Sequence, residues 1–223
     1  MDNMSKKVVK KVLAKTKRKV LKPIYAVGDI HGNFDALAEM LKKIPKGGKI
    51  VFLGDYVDRG KDSYKVVEMM MRLSKKPNVI CLKGNHEQMM VNYAKGKGKQ
   101  HFLFNGGIKT INSYKKAEVE VFPKKHIQWM EKLPLYYETP RYIFVHAGIT
   151  YGKPLASQSE STLLWVRYSF IKNKSKSDKK VVFGHTIFSK PYVRHNKIGI
   201  DTGAGWGDRL TCVMLPEEKF IQV

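Results

Sequence analysis

Five short apolar runs, each followed at once by a cluster of Gly, Asp, Asn or His, constrain this chain more than any other feature. The runs are Ile24 to Val27, Ile50 to Leu53, Val79 to Leu82, Tyr142 to Val145 and Val181 to Phe183. Segments this short, bounded by turn formers, read as buried strands. Between the first two runs Leu37, Met40, Leu41 and Ile44 recur at helical intervals, and between the second and third Val66, Val67, Met70 and Leu73 do the same. The first half is therefore β-α-β-α-β, which requires a parallel sheet with right-handed crossovers. The fold class is α/β.

The remaining pattern is more irregular. Val91 to Pro140 holds Gly106-Gly107, several Lys and a helix expected from His126 to Glu131, ended by Leu133-Pro134; it reads as a capping insertion near 91–140. Ser169 to Lys180 is rich in Lys and Ser and reads as an exposed loop. Gly199 to Leu215 is expected as two short strands around the turn-rich Gly203, Gly205 and Gly207. The methionines at 69–71 and 89–90 read as packing residues. A chain of 223 residues buries one sizeable core, so a single domain over 23–223 is expected behind a basic tail, 1–22.

With 42 Lys+Arg against 19 Asp+Glu, the net charge is +23, which draws polyanions of any kind. Lys6, Lys7, Lys10, Lys11, Lys15, Lys17, Arg18, Lys19 and Lys22 face only Asp2 ahead of the first strand. A solvated tail is the simplest reading; a basic arm for nucleic acid or an acidic surface is the alternative, with Val8, Val9, Val12 and Leu13 at helical spacing. No apolar run is long enough to cross a bilayer, and no secretory signal is recognisable. Cys81 and Cys212 are far apart and suggest neither a disulfide framework nor a thiolate zinc site. A cytoplasmic monomer is expected.

Ligands of open α/β sheets sit beyond the carboxyl ends of the strands, where loops converge. There the chain places Gly28-Asp29-Ile30-His31-Gly32, Gly54-Asp55-Tyr56-Val57-Asp58-Arg59-Gly60, Gly84-Asn85-His86-Glu87, His146-Ala147-Gly148 and Gly184-His185. Carboxylate, imidazole and amide oxygen together suit Mn, Fe, Zn or Co better than an all-oxygen calcium cage. Asp29, His31, Asp55, Asn85, His146 and His185 are too many for one tetrahedral ion, so two ions sharing a carboxylate is the economical solution. Singly, a strand-end Asp is often a helix N-cap and a lone His a core or surface residue. Five such clusters in order outweigh those readings. His101, His126 and His195 lie outside the motifs and read as structural.

These motifs, in this order from about Ile24 to Leu215, resemble the phosphoprotein phosphatases of the metallophosphoesterases. The likeness is greatest to small bacterial and phage serine/threonine phosphatases and to symmetrical diadenosine tetraphosphatases. The resemblance implies an α/β/β/α sandwich of the metallo-dependent phosphatase type, with a dinuclear site at the carboxyl ends of the strands. It implies that Asp29 and His31 hold one metal, that Asn85, His146 and His185 hold the other, and that Asp55 bridges them. Manganese is the first expectation, with Fe, Zn, Co or Ni as alternatives. It further implies direct attack by water or hydroxide, His86 as general acid oriented by Asp58, and Arg59 and Arg167 as clamps on the phosphoryl oxygens. Two departures stand out: His146-Ala147-Gly148 replaces the His-Gly-Gly of the eukaryotic enzymes, and the ending Ile200-Asp201-Thr202-Gly203-Ala204 is shared by both small classes.

A serine/threonine protein phosphatase acting on phosphorylated protein is accordingly the leading expectation. A symmetrical bis(5'-nucleosyl)-tetraphosphatase, or another nucleotide phosphoanhydride hydrolase, is the alternative. It would need a base pocket, for which Tyr114, Trp129, Tyr136, Tyr137 and Trp206 are candidates. An inactive basic nucleic-acid-binding module is the distant third, since a pure binder has no use for a general acid beside its metals.

Overall fold

Strands form where the apolar runs lie. The structure, a computed structural model, describes residues 22–174 and 178–223, so the basic tail apart from Lys22 lies outside the described residues. The five expected strands are β1 (Ile24–Val27), β2 (Lys49–Phe52), β3 (Val79–Cys81), β5 (Tyr142–Val145) and β6 (Lys180–Phe183). Added to them are β4 (Tyr136–Glu138), β7 (Tyr192–Arg194), β8 (Lys197–Gly199), β9 (Thr211–Leu215) and β10 (Lys219–Gln222).

Two five-stranded sheets result, ordered β10-β9-β1-β2-β3 and β4-β5-β6-β8-β7. In the first, β1, β2 and β3 run parallel with Ile24 opposite Lys49 and Ile50 opposite Val79, and β9 closes antiparallel on β1. In the second, β5, β6 and β8 are parallel, and β4 and β7 are antiparallel edges. The period of two along each strand sends alternate side chains into different cores. Ala26, Val51, Leu53, Phe144, Val182 and Ile198 meet between the sheets. Val27 and Phe52 face outward onto helices α1 (Phe34–Lys43) and α2 (Ser63–Leu73), where Leu37, Met40, Val66 and Met70 are fully buried. Val145, Val181 and Phe183 face the other way onto α7 (Glu160–Trp165) and α8 (Tyr168–Lys172) through Leu163 and Phe170. This is an α/β/β/α sandwich.

Between β3 and β4 the chain is helical: α3 (Asn85–Ala94), α4 (Lys99–Phe102), α5 (Ile108–Lys116) and α6 (Lys124–Glu131). A wide turn over Leu103–Gly107 joins α4 to α5, and Gly106 within it has φ 102°. Helix α5 is bound to α2 by Ser113, whose Oγ accepts from the Tyr64 amide at 3.0 Å. On α6, His126 is fully buried, with Nδ1 2.8 Å from the Tyr114 hydroxyl and Nε2 2.8 Å from Glu68 Oε1. Residues 169–172, expected as part of an exposed loop, belong instead to helix α8, because Phe170 is buried against Phe183 with ring centroids 5.1 Å apart. Of the rest of that expectation, residues 173, 174, 178 and 179 are outside helices and strands, Lys180 begins β6, and residues 175–177 lie outside the described residues. Met70, Met89 and Met90 pack in the outer core of the first sheet. No helix among the described residues is long and apolar enough to cross a membrane.

Candidate metal centre

The carboxyl ends of β1, β2, β3, β5 and β6 open at the same edge of the sandwich, and each is followed within four residues by a polar, buried side chain of the site. Asp29, His31, Asp55, Asn85, His146 and His185 are all less than 5% exposed. The approach is so close that two glycines are obligatory. A Cβ at Gly84 would lie 2.1 Å from Asp55 Oδ1, and one at Gly184 would lie 2.1 Å from Asp29 Oδ1.

The backbone is bent to this purpose. His31, Asp55, Asp58, Arg59 and His185 have φ of 46°, 54°, 71°, 65° and 61°, a region that disfavours side chains and costs about 1 kcal/mol or more at each position. Hydrogen bonds hold them there. Glu87, at the first turn of α3, accepts from the amides of Asp55 and Gly84 through Oε2, each at 2.9 Å, and from Tyr56 through Oε1 at 2.8 Å. The Asp58 amide donates to Thr110 Oγ1 at 2.8 Å, and the Gly60 amide to the His31 carbonyl at 2.9 Å.

Asp55 is at the centre. One of its oxygens, Oδ2, is 3.4 Å from His31 Nε2 and 3.8 Å from His86 Nε2; the other, Oδ1, is 3.4 Å from His146 Nε2. Asn85 Oδ1 adds a contact to His146 Nε2 at 2.8 Å. Two sets of side chains therefore share Asp55 and could each hold a metal ion: His31, Asp55 and His86, and Asp55, His146 and His185. The imidazoles are oriented from behind. His31 Nδ1 donates to the Val57 carbonyl at 2.9 Å and His146 Nδ1 to the Leu53 carbonyl at 3.0 Å, which turns each Nε2 lone pair toward Asp55. Asp29 sits beside the second set, its carboxylate accepting from the His185 amide at 3.0 Å.

Electrostatics agree with a cation site. Burial pushes the Asp55 carboxyl up, but the surrounding imidazoles of His146, His86, His31 and His185 outweigh it and hold it far below the usual carboxylate range. Burial, with repulsion from Asp201 and Asp55, pushes Asp29 well up, and burial pushes Asp201 up to about 6. Burial pushes His185 down to about 2 and lowers His31 and His146, so all three are neutral imidazoles with a lone pair to give. Carboxylates crowded against neutral imidazoles form the donor set that two divalent cations satisfy.

The expected catalytic groups surround this cluster. His86 Nδ1 donates to Asp58 Oδ2 at 2.6 Å, and burial's downward push on the imidazole is outweighed by Asp55 and Asp58, so its pKa is raised. The Arg59 guanidinium lies against Nε2 of His31 and, at 3.0 Å, Nε2 of His86, and is 5.1 Å from the Trp206 ring centroid. Arg167 Nε donates to His185 Nε2 at 3.0 Å. All ten residues picked from the sequence thus converge on one crevice.

Others at the site carried no sequence signal of their own. Thr110, on α5, reaches Asp58 across 52 positions with no motif around it. Glu87 and Asp201 lie inside recognisable motifs, yet only the fold reveals three amides on the first and the proximity of the second to Asp29. Of the aromatic candidates, Tyr114 and Trp129 are packed in the core, and Tyr136 and Tyr137 are partly buried on the second sheet. Trp206 alone among them is at the crevice, 69% exposed, on a turn whose Gly205 lies against the His31 ring.

Known proteins resemble this chain in sequence and fold. The family profile described as Calcineurin-like phosphoesterase matches residues 22–210. The bis(5'-nucleosyl)-tetraphosphatase PrpE of Halalkalibacterium halodurans, named asymmetrical, is 27% identical over 230 residues, covering 88% of this chain and 92% of that protein. Its namesake from Oceanobacillus iheyensis is 29% identical over 229 residues, covering 88% and 90%. Both carry the asymmetrical name, where the motifs resembled the symmetrical class. Among solved structures, one provisionally described as a diadenosine tetraphosphatase superposes with TM-score 0.70 at 22% identity, covering 92% of this chain and 94% of that one. A protein serine/threonine phosphatase from Saccharomyces cerevisiae superposes with TM-score 0.62 at 17% identity, covering 93% and 80%.

Proposed function

The chain belongs to the calcineurin-like phosphoesterase family and is a metallophosphoesterase; from that premise we propose that it hydrolyses a phosphoanhydride bond of a dinucleoside polyphosphate. The observation that carries this reading is end-to-end similarity to relatives named bis(5'-nucleosyl)-tetraphosphatases, over a site built for two cations. It displaces the protein phosphatase that the motifs alone put first.

In this mechanism Asp29, His31 and Asp55 would hold one divalent ion and Asp55, Asn85, His146 and His185 the other, with manganese the first choice. When bound, such a pair supplies an acidified water and neutralises charge on the phosphoryl oxygens. Arg59 and Arg167 grip the oxygens of the phosphoryl group under attack, the guanidinium fork matching two of them at once. His86 donates the proton of Nε2 to the departing oxygen, and Asp58, bound to Nδ1, keeps that nitrogen aimed at the crevice and stabilises the charged ring.

One observation favours phosphoserine or phosphothreonine as a second substrate class. A nucleotide leaves as a phosphate, a weak base with a second pKa of about 6, and hardly needs a proton. An alcohol leaves as a far stronger base, and the fully built His86–Asp58 pair suits it. The deciding experiment compares a dinucleoside tetraphosphate with a phosphothreonine peptide, on metal-free protein reloaded with manganese. The expected result is higher kcat/KM for the nucleotide, with nucleoside mono- and triphosphate as products. A preference for the peptide would overturn the proposal, and two equal diphosphate products would move it to the symmetrical class.

A further inference from the structure

Asp58 has two carboxylate oxygens, and only one is used by His86. The other, Oδ1, accepts from the hydroxyl of Thr110 at 2.6 Å. The same Thr110 oxygen accepts the Asp58 amide at 2.8 Å and is 3.1 Å from Ser63 Oγ, which is itself 3.2 Å from that amide. Thr110, Ser63 and Asp58 are almost wholly buried, so no water competes for these bonds. Thr110 therefore binds both ends of one residue, carboxylate and backbone, while Asp58 sits at φ 71°, a conformation its own side chain opposes.

Thr110 comes from the helical segment between β3 and β4, whose grip on this loop is double. The Gly106 carbonyl, one turn before it, faces the Arg59 amide at 3.4 Å, and a Cβ on Gly106 would strike that amide nitrogen at 2.8 Å. The wide turn at 103–107 lets helix α5 start beside Arg59 and deliver Thr110 to Asp58.

We infer that Thr110 is a positioning residue for the acid: the α5 helix, through the Thr110 hydroxyl, sets the place and orientation of the Asp58–His86 pair. This rests on the reading of His86 as general acid. A hydroxyl that donates to a buried carboxylate fixes that carboxylate's place, so Thr110 governs where the imidazole points.

The test is a series of phosphomonoesters whose leaving groups run from p-nitrophenol to an unactivated alcohol. Rates are measured for the wild type, Thr110→Val, Thr110→Ala, Thr110→Ser and His86→Asn, all at matched metal content. Both truncations are expected to leave p-nitrophenyl phosphate turnover within about twofold while lowering kcat on the alkyl ester about ten- to hundredfold, the range for losing a hydrogen bond to a charged group. KM should stay unchanged, Thr110→Ser should restore the rate, and His86→Asn should give the same leaving-group dependence more steeply. A second readout is independent of turnover: the strongly downfield proton of the 2.6 Å His86–Asp58 bond in the NMR spectrum should shift or broaden in the truncations and return in Thr110→Ser. If His86→Asn steepens the dependence but the truncations lower all rates alike, or leave slope and resonance untouched, the inference is overturned. If His86→Asn does not steepen it, the acid reading falls first and the positioning role with it.

Discussion

Glu87 accepts the amides of Asp55, Tyr56 and Gly84 on two oxygens, and an ionised carboxylate is the only side chain of its size that is all acceptor. Burial, with Asp55 nearby, pushes its pKa up to about 7, so the site tolerates this charge only because the amides are aimed at it. Glu87→Gln keeps the volume but turns an NH2 group toward a backbone N–H. The expected loss is about 2 kcal/mol for a buried donor left unsatisfied, or roughly 4–8 °C of melting temperature in a chain of this size. Turnover should fall further than stability, since Asp55 would lose the bonds that hold its φ of 54°. A melting curve unchanged within 1 °C would mean that the loop is held by something other than Glu87, a threshold set at roughly a quarter of the expected effect.

Elements bring together what no local pattern joins. The turn at Ala204–Trp206, before β9, presses Gly205 on His31 and presents an exposed indole beside Arg59. A base of the dinucleotide stacked there would lie next to the phosphoryl clamp, and stacking on an aromatic is worth about 1–3 kcal/mol. Trp206→Ala is accordingly expected to raise KM for a dinucleoside tetraphosphate about tenfold or more while leaving p-nitrophenyl phosphate unaffected. Equal losses on both would show that the ring serves Arg59 rather than a base. That Trp206 rather than Trp129 lies at the crevice was not legible in the sequence, because a tryptophan's letter does not say which side of a helix or turn it takes. The proposed strand-end ligands were legible for the opposite reason: Asp29, Asp55, Asn85, His146 and His185 all lie one to four residues beyond an apolar run, and parallel topology forces such ends together. Edge strands β4 and β10 escaped notice because Tyr-Tyr-Glu and Lys-Phe-Ile-Gln are not continuous apolar runs. Thr110 escaped because its partner is 52 residues away.

At the scale of the molecule, three apolar cores hold the sandwich together: Ala26, Val51, Phe144 and Val182 between the sheets, and an outer core on either side, each built of hydrophobic side chains that need no metal to be buried. Removing metal should therefore weaken this protein without unfolding it, unlike small domains whose folding free energy is their metal binding. What metal adds is mass action on the folded state: at a free concentration a hundred times the dissociation constant it contributes about 2.7 kcal/mol, or roughly 5–11 °C in a chain of this length. The chelated protein is expected to melt in one cooperative step at the lower temperature, and returning manganese should restore the difference. Asp55→Asn should nearly abolish that difference while leaving the chelated melting point close to its original value, because Asp55 alone touches both ligand sets. A chelated protein without a cooperative transition would mean that the crevice holds the sheets together, and an Asp55→Asn variant with the full metal-dependent shift would mean that the ions sit elsewhere.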